Sequence, residues 1–304
     1  MSPNSIRNPP VPSVGRFKIS TFSVIVGSLA CDAQCPYCVS KTTPTCGAEK
    51  LVSLNLRNFR IACDLAKKSG VTTMLLTGKG EPTLHPVHIK EYIDEGRFYF
   101  PLIELQTNGI LMTTNESLRT NLRCWYDFGL TTVCISIAHY DPKRNAEIFR
   151  PHNPYDIWPV VDKLHEIGLS VRISCVLVKG YVDSFVEVSA LVDICRLKKV
   201  EQLIIREVAA PDNSKNAEVA QYVAEHRTTG LCDFIRDRRF AYDTSVTKLL
   251  ELPHGGTVYD WNGQNICLGN CLTGSTNPDD IRQLIFFPDG HLRHDWRYPG
   301  AIIL

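Results

Sequence analysis

The sequence contains no apolar run that reaches the ~20 residues needed to cross a bilayer, so no membrane span is predicted. It also lacks a charge excess, since 33 basic and 32 acidic residues give a net charge of +1. Such a balance provides no global field to attract nucleic acid or an anionic membrane, and we expect neither as a partner. Residues 1–16, rich in Pro, Ser and Asn, lack the long apolar centre of a signal peptide, and we expect a flexible arm there.

Cysteine is abundant. Twelve cysteines in a chain without an export signal favour a reducing, cytoplasmic location, where thiols persist and can bind metal. The length of 304 residues and the hydrophobic content of 44% suit a globular protein with a large core. A chain of this size need not be divided, because α/β barrels of similar length often form one domain.

Three of the cysteines, Cys31, Cys35 and Cys38, form a C-x3-C-x2-C pattern directly after an apolar, strand-like run. Three thiolates on one loop can hold three irons of a [4Fe–4S] cube and leave the fourth iron without a protein ligand, whereas four cysteines would suit simple electron transfer. Two other interpretations stay open. The cysteines could be structural, or they could belong to a zinc site, although zinc usually takes four N/S ligands in paired spacings.

From residue 17 strand-like segments alternate with helical ones, which predicts a parallel sheet with helical crossovers. The expected strands are Ile19–Gly27, Thr72–Thr77, Leu102–Gln106, Thr132–Ile137, Ser170–Val178 and Gln202–Val208. The expected helical segments are Ser53–Ser69, His85–Gly96, Asn115–Phe128, Pro142–Phe149, Pro154–Ile167 and Ser184–Leu197. Left-handed caps are expected at the glycines that follow four of them, Gly70, Gly96, Gly129 and Gly168. Six strands are too few to close an eight-stranded barrel. We therefore predict an α/β fold, an open partial (β/α)6 TIM-like barrel, with its working residues at the C-terminal ends of the strands.

The second predicted strand runs into a glycine-rich turn, Thr77-Gly78-Lys79-Gly80-Glu81-Pro82, where glycine lets a ligand approach the backbone. The third strand ends in Thr107-Asn108-Gly109, which suits either a polar ligand site or an Asn-Gly turn into a helix. All three segments, the cysteine loop included, follow predicted strands. The motifs are therefore expected to meet at one end of the barrel.

On the fourth strand Cys134 and Ser136 share one face, because side chains alternate along a strand. A cysteine this deep is usually a packing residue, and Cys134 is given no role. His139 follows at the mouth of the strand. A histidine there could bind substrate or move a proton, but a solvated loop histidine is the commoner outcome.

The cysteine pattern, with Tyr37 before its last cysteine, resembles the radical S-adenosylmethionine (SAM) superfamily, and the glycine turn one β-α unit later strengthens the resemblance. The resemblance implies a [4Fe–4S] cluster on Cys31, Cys35 and Cys38, with SAM bound to the open iron. It further implies a set of residues around SAM, namely Gly78, Lys79, Gly80, Glu81, Thr107, Asn108 and Ser136. Lys79 stands where the family motif has its second glycine.

Segments 141–148, 171–180 and 205–211 look like those of the GTP cyclase of molybdenum-cofactor synthesis. In that branch cationic residues near the strand ends hold the substrate's phosphates, which implicates Lys179 and Arg206. The alternative for both is a side chain that snorkels at the barrel rim. The chain has no Gly-Arg-Arg tail and carries Ala138 where an acidic residue is usual. We therefore do not identify it as that cyclase.

After the barrel core, residues 17–211, we expect a short α+β extension, 212–304, with a helical stretch at 218–238. Asp289-Gly290 between apolar runs predicts a hairpin. Radical SAM enzymes of this type often append a domain with an auxiliary [4Fe–4S] cluster, with cysteines before such a hairpin and one after it. Cys267 and Cys271 precede the hairpin, and no cysteine follows it. A second iron–sulfur cluster stays open, but a degenerate cap that faces the substrate is preferred.

The resemblance implies an enzyme that reductively cleaves SAM to a 5′-deoxyadenosyl radical, which abstracts hydrogen from a substrate. We expect a small anionic or nucleotide-like molecule, with Lys179, Arg206 and His139 as candidate pocket residues. An electron donor such as flavodoxin or ferredoxin is the expected partner. Two alternatives remain, a radical SAM maturase that modifies a peptide or protein, and a non-catalytic iron–sulfur or zinc protein.

Overall fold

The structure, a computed structural model, describes residues 19–210, 214, 216–235, 246–252, 255–270 and 281–304. The predicted N-terminal arm and Cys271 lie outside these ranges. None of the described helices is long and apolar enough to cross a membrane.

The described strands are β1 (Thr21–Ile25), β2 (Thr73–Thr77), β3 (Leu102–Thr107), β4 (Thr132–Ile137), β5 (Ser170–Leu177), β6 (Gln202–Glu207), β7 (Val246–Glu251), β8 (Thr257–Trp261), β9 (Gln264–Asn270), β10 (Gln283–Phe286) and β11 (Leu292–Arg293). The described α-helices are α1 (Leu56–Lys68), α2 (Pro86–Gly96), α3 (Ile110–Thr114), α4 (Glu116–Phe128), α5 (Pro142–Phe149), α6 (Trp158–Ile167), α7 (Phe185–Leu197), α8 (Ala217–His226) and α9 (Leu231–Phe234). Two short 3₁₀ turns lie at Val39–Thr42 and Pro82–Leu84.

All eleven strands join one sheet in the order β11-β10-β1-β2-β3-β4-β5-β6-β9-β8-β7. The parallel part is longer than the six strands predicted, because β10 pairs in parallel with β1, and β9 with β6. The prediction of an α/β fold with an open, partial barrel is confirmed, and the C-terminal segment supplies the two added parallel strands. These strands satisfy backbone groups that the edges of a six-stranded sheet would leave unpaired.

The helices pack on one face of the sheet. Phe59 of α1 and Trp125 of α4 share a single large core with strand residues such as Phe22 and Leu105. The alternate strand residues point to the opposite face, which we call the inner face. Helices on one side only are typical of a barrel, whereas a doubly wound sheet carries them on both sides.

Two helix ends show local sequence signals clearly, and a third does not. Asn115 caps α4, since its side chain accepts hydrogen bonds from Ser117 N (2.9 Å) and Leu118 N (3.3 Å). Gly129 takes the left-handed conformation predicted for it, with φ of 118°. The prediction for Gly96 was wrong, because this residue ends α2 inside the helix. A Cβ there would lie 2.3 Å from Met74 Cε, so close packing against β2 explains the glycine.

The C-terminal predictions are met in part. The hairpin around Asp289-Gly290 forms, with β10 and β11 antiparallel. The described part of the helical stretch expected at 218–238 is two helices, α8 and the short α9, which Gly230 separates in a left-handed conformation, and residues 236–238 lie outside the described ranges.

Candidate functional site

Three predicted ligand cysteines lie on the loop between β1 and the 3₁₀ turn Val39–Thr42. Cys31 is exposed, Cys35 and Cys38 are partly buried, and all three are free thiols. Burial is the largest cause that raises the pKa of Cys31 to about 11 and that of Cys35 to about 12, and charge interaction with the Cys38 thiol contributes to both raised values. The sulfurs therefore lie near enough to interact. No group of three His, Cys, Asp or Glu in the described ranges is arranged around a single metal ion. Three thiols on one accessible loop are a donor set that suits a cube with one open iron.

The glycine turn after β2 touches the cysteine loop directly. Glu81 N donates to Ala30 O at 2.8 Å, and a Cβ on Gly80 would lie 2.0 Å from the same oxygen. Only glycine fits at position 80 unless the two segments move apart. The sequence motifs are thus brought together by a backbone contact beside Cys31.

Glu81 is buried, and its carboxylate joins the glycine turn to the end of β3 through hydrogen bonds. Its Oε1 accepts hydrogen bonds from Thr83 N (3.0 Å), Thr83 Oγ1 (2.7 Å) and Thr107 Oγ1 (2.6 Å). Its Oε2 accepts from Asn108 N at 2.9 Å. Burial raises the pKa of Glu81, and these hydrogen bonds act in the opposite direction. The carboxylate joins the glycine turn to the end of β3.

Asn108 links the end of β3 to the cysteine loop. Its Oδ1 accepts from Ile110 N at 2.9 Å, and its Nδ2 donates to Asp32 Oδ1 at 2.7 Å and lies 3.9 Å from Cys31 Sγ. The other oxygen of Asp32, Oδ2, is buried and has no hydrogen-bond partner in the described part of the chain. Sequence reasoning missed Asp32. The available signal was that it is the one carboxylate inside the cysteine motif.

Lys79 is buried, and its side chain extends from the glycine turn toward the C-terminal segment. Nζ donates to Thr43 Oγ1 and lies 5.5 Å from the ring centroid of Trp296. Burial lowers the pKa of Lys79 to about 8. Trp296 and Thr43 were also missed, because only the tertiary fold brings them to the turn.

The inner face holds a polar network across four strands. Arg172 on β5 pairs with Glu104 on β3 and donates to Gln202 Oε1 on β6 at 2.7 Å. Gln202 Nε2 in turn donates to Asn265 Oδ1 on β9 at 2.7 Å. Arg172 Nε is buried without a partner among the described residues. Strands of a parallel barrel usually carry apolar side chains inside, so this polarity indicates a ligand-binding interior.

Ser136 lies partly buried on the inner face, opposite Ser174 in the β4–β5 register. It follows Cys134 by two residues, so both side chains point to the same face. Arg206 is also partly buried and lies in register with Val176. Lys179, beyond the end of β5, is exposed. Two of these three predicted residues thus belong to the inner face, and Lys179 lies outside it at the end of the strand.

The interpretation of His139 as a solvated loop histidine was wrong. Its side chain is 2% exposed, Nδ1 accepts from Asp141 N at 2.9 Å, and Nε2 lies 2.8 Å from Arg144 Nη1. Nε2 also lies 3.4 Å from Glu187 Oε2 on α7. Burial and then Arg144 lower the pKa of His139. The ring is held by α5 and α7, because the loop after β4 folds back onto these helices.

Cys267 is buried in the middle of β9. It packs on the inner face with Cys134, Ile204 and Val258 in a small apolar cluster. Burial raises its pKa. Its predicted companion Cys271 lies outside the described residues, so the second cluster stays a prediction.

Comparisons with known proteins identify the family and the fold. A family profile described as the radical SAM superfamily matches residues 25–192, more than half of the chain. A GTP 3′,8-cyclase of Shewanella denitrificans is 30% identical over 158 residues, which are 50% of this chain and 43% of that protein. A GTP 3′,8-cyclase of Aquifex aeolicus is 25% identical over 154 residues, 50% of this chain and 46% of that protein. The chain spans less than half the length of these relatives.

Among solved structures, that of SuiB from Streptococcus suis bound to S-adenosylmethionine superposes with a TM-score of 0.58. The sequences are 17% identical, and the match covers 91% of this chain and 60% of SuiB. At this identity the likeness concerns the fold alone. It extends over the elements after β6 as well as the barrel core.

Proposed function

This chain belongs to the radical SAM superfamily, and we propose that it uses a SAM-derived radical to abstract hydrogen from a small anionic, nucleotide-like substrate. Membership implies an enzyme of the radical SAM type with a [4Fe–4S] cluster and SAM as cofactors. When bound, these cofactors supply a 5′-deoxyadenosyl radical through reductive cleavage of SAM. The protein's own share is to hold the reactants in position and to exclude water.

The cluster and SAM are proposed to bind at the corner formed by the cysteine loop, the glycine turn and the end of β3. Cys31, Cys35 and Cys38 would hold the cluster. Backbone groups of Gly78 and Gly80 are proposed to approach SAM. The buried Glu81 would keep these segments in register, because its four accepted hydrogen bonds fix the turn against β3.

We propose that the inner face binds the substrate. The observation that supports this proposal is the position of Arg206. The residue is partly buried on that face, and no described carboxylate forms an ion pair with it. A partly buried cation without a counter-charge favours an anionic ligand, and arginine binds carboxylate or phosphate in a bidentate manner. The names of the two cyclase relatives state that they act on GTP, which supports a nucleotide-like substrate. Lys179 at the end of β5 is a second proposed cation for the same anion, and His139 a proposed neighbour of the pocket.

Radical SAM enzymes need a substrate and a reductant. We propose a flavodoxin or a ferredoxin as the electron donor. A reducing cytoplasm is the proposed location, because a chain with 12 cysteines depends on thiols that stay reduced.

The test is anaerobic reconstitution with iron and sulfide, followed by dithionite and SAM. We expect 5′-deoxyadenosine and methionine, and faster formation of both with GTP or another nucleotide than with guanosine. Arg206→Gln should remove most of the difference between nucleotide and nucleoside, whereas Arg57→Gln on the exposed surface of α1 should not. If a fully loaded cluster never cleaves SAM with any candidate substrate, the proposal fails. If only peptides stimulate cleavage, the substrate class is wrong.

Iron analysis of the same samples addresses the second cluster. About four irons per chain correspond to one cube and about eight to two. In the triple variant Cys31→Ala, Cys35→Ala, Cys38→Ala, about four irons should persist only if a second cluster exists.

A further inference from the structure

We propose that the carboxylate of Asp32 accepts a hydrogen bond from bound SAM, which adds a cofactor-binding residue inside the cysteine motif. The inference rests on the proposed function, since it requires SAM at this corner. It concerns one atom, Asp32 Oδ2, and the donor groups that SAM carries.

The two oxygens of Asp32 differ in their surroundings. Oδ1 accepts from Asn108 Nδ2 at 2.7 Å, so the carboxylate is fixed toward the end of β3. Oδ2 is buried, yet no described group donates a hydrogen bond to it. A buried carboxylate oxygen without a donor is costly, and native proteins leave such atoms mainly where a ligand or ordered water completes them.

The position of Asp32 makes SAM the fitting donor. The residue directly follows Cys31, and the amide that holds its Oδ1 lies 3.9 Å from Cys31 Sγ. The carboxylate therefore lies beside a thiol that would hold the cluster to which SAM would bind. SAM carries a positive sulfonium, an ammonium group and two ribose hydroxyls. A carboxylate complements the positive charge and can accept from the ammonium or from a hydroxyl.

The main competitor is a water that bridges Asp32 to Tyr155. The Tyr155 hydroxyl accepts from Asn145 Nδ2 at 2.7 Å, and the Asp32 charge contributes to the raised pKa of Tyr155, after burial and Cys35. Such a bridge would satisfy Oδ2 without any ligand. The experiment must therefore measure SAM affinity and not only enzyme activity.

The test variant is Asp32→Asn in the reconstituted full chain. Asparagine keeps an oxygen for Asn108 Nδ2 and places an amide N–H₂ where Oδ2 was, so it removes both the charge and the acceptor. We expect calorimetry to show SAM binding weakened on the order of tenfold or more, with about four irons retained. Asp64→Asn, on the exposed surface of α1, is the matched control and should bind SAM like the unmodified protein.

Two fragments of SAM identify the donor. 5′-Methylthioadenosine carries the ribose hydroxyls without the ammonium, and methionine carries the ammonium without the ribose. Asp32→Asn should weaken binding of the fragment whose donor faces Oδ2. If neither fragment nor SAM binds more weakly to an iron-replete Asp32→Asn protein, the inference is overturned.

The outcomes separate the inference from the proposed function. If the unmodified holoenzyme binds no SAM, the proposed function fails, and the inference fails with it. If the unmodified protein binds and cleaves SAM and the variant binds it equally well, only the inference fails. Should Asp32→Asn not retain its irons, Asp32→Glu keeps the charge but displaces it by one methylene, and unchanged SAM affinity in that variant would also overturn the inference.

Discussion

Replacing Glu81 by glutamine tests whether this residue holds the cofactor corner together or binds SAM itself. The two carboxylate oxygens accept from two different backbone donors, Thr83 N on Oε1 and Asn108 N on Oε2. Glutamine offers one oxygen and one N–H₂ group, so in either orientation an amide N–H faces a backbone N–H. One buried donor is left unsatisfied, which costs about 1–3 kcal/mol.

That loss corresponds to a fall in Tm of roughly 2–12 °C for a large domain. The assay is thermal unfolding of the cluster-free protein, so that cofactor binding does not contribute. Glu147→Gln, at an exposed position on α5, is the matched control and should leave Tm within a degree or two. If Glu81→Gln is as stable as the unmodified protein, the role of Glu81 in joining the glycine turn to β3 is refuted. Normal stability combined with lost SAM affinity would instead assign Glu81 to direct cofactor binding.

Two further predictions concern the neighbouring elements. Gly80→Ala would place a Cβ 2.0 Å from the backbone oxygen of Ala30, would force the glycine turn and the cysteine loop apart, and should lower cluster content and SAM affinity together. Gly269→Ala is the control, because its Cβ would meet nothing within 4 Å, and it should leave the iron content unchanged. If Gly80→Ala holds as much iron as Gly269→Ala, the close approach of the two segments is not needed for cluster binding. At the hairpin, burial alone would raise the pKa of Asp289, but hydrogen bonds from Arg293 and from His291 N–H outweigh it and hold the pKa low. Its stabilisation should be present above the unfolded-state pKa of about 3.9 and be lost as pH falls through the lower folded-state value. Urea titrations should show that Asp289→Asn costs about 1–2 kcal/mol at pH 7 and removes this acid loss.

Much of the barrel core was predictable because its signals are local. The bounds of β4 and α5 agree with the prediction, and the side-chain cap of Asn115 forms as its position before a helical stretch suggests. The cysteine spacing specified a candidate ligand loop in the same way, since all three thiols lie within eight residues. Signals of this kind depend on neighbours in the chain, which a sequence displays directly.

What the sequence by itself determined is the order of strands and helices, the family, and the segments that carry the cofactor site. Tertiary structure decided where distant groups meet. It placed the Lys79 ammonium over the Trp296 ring, buried His139 against Glu187, and set Asp32 beside Asn108 with one oxygen unpaired among the described residues. It also joined β9 and β10 to the barrel core. The physical reason is that hydrogen bonds and close packing act over a few ångströms in space, and no local pattern of residues encodes which distant partner will be there.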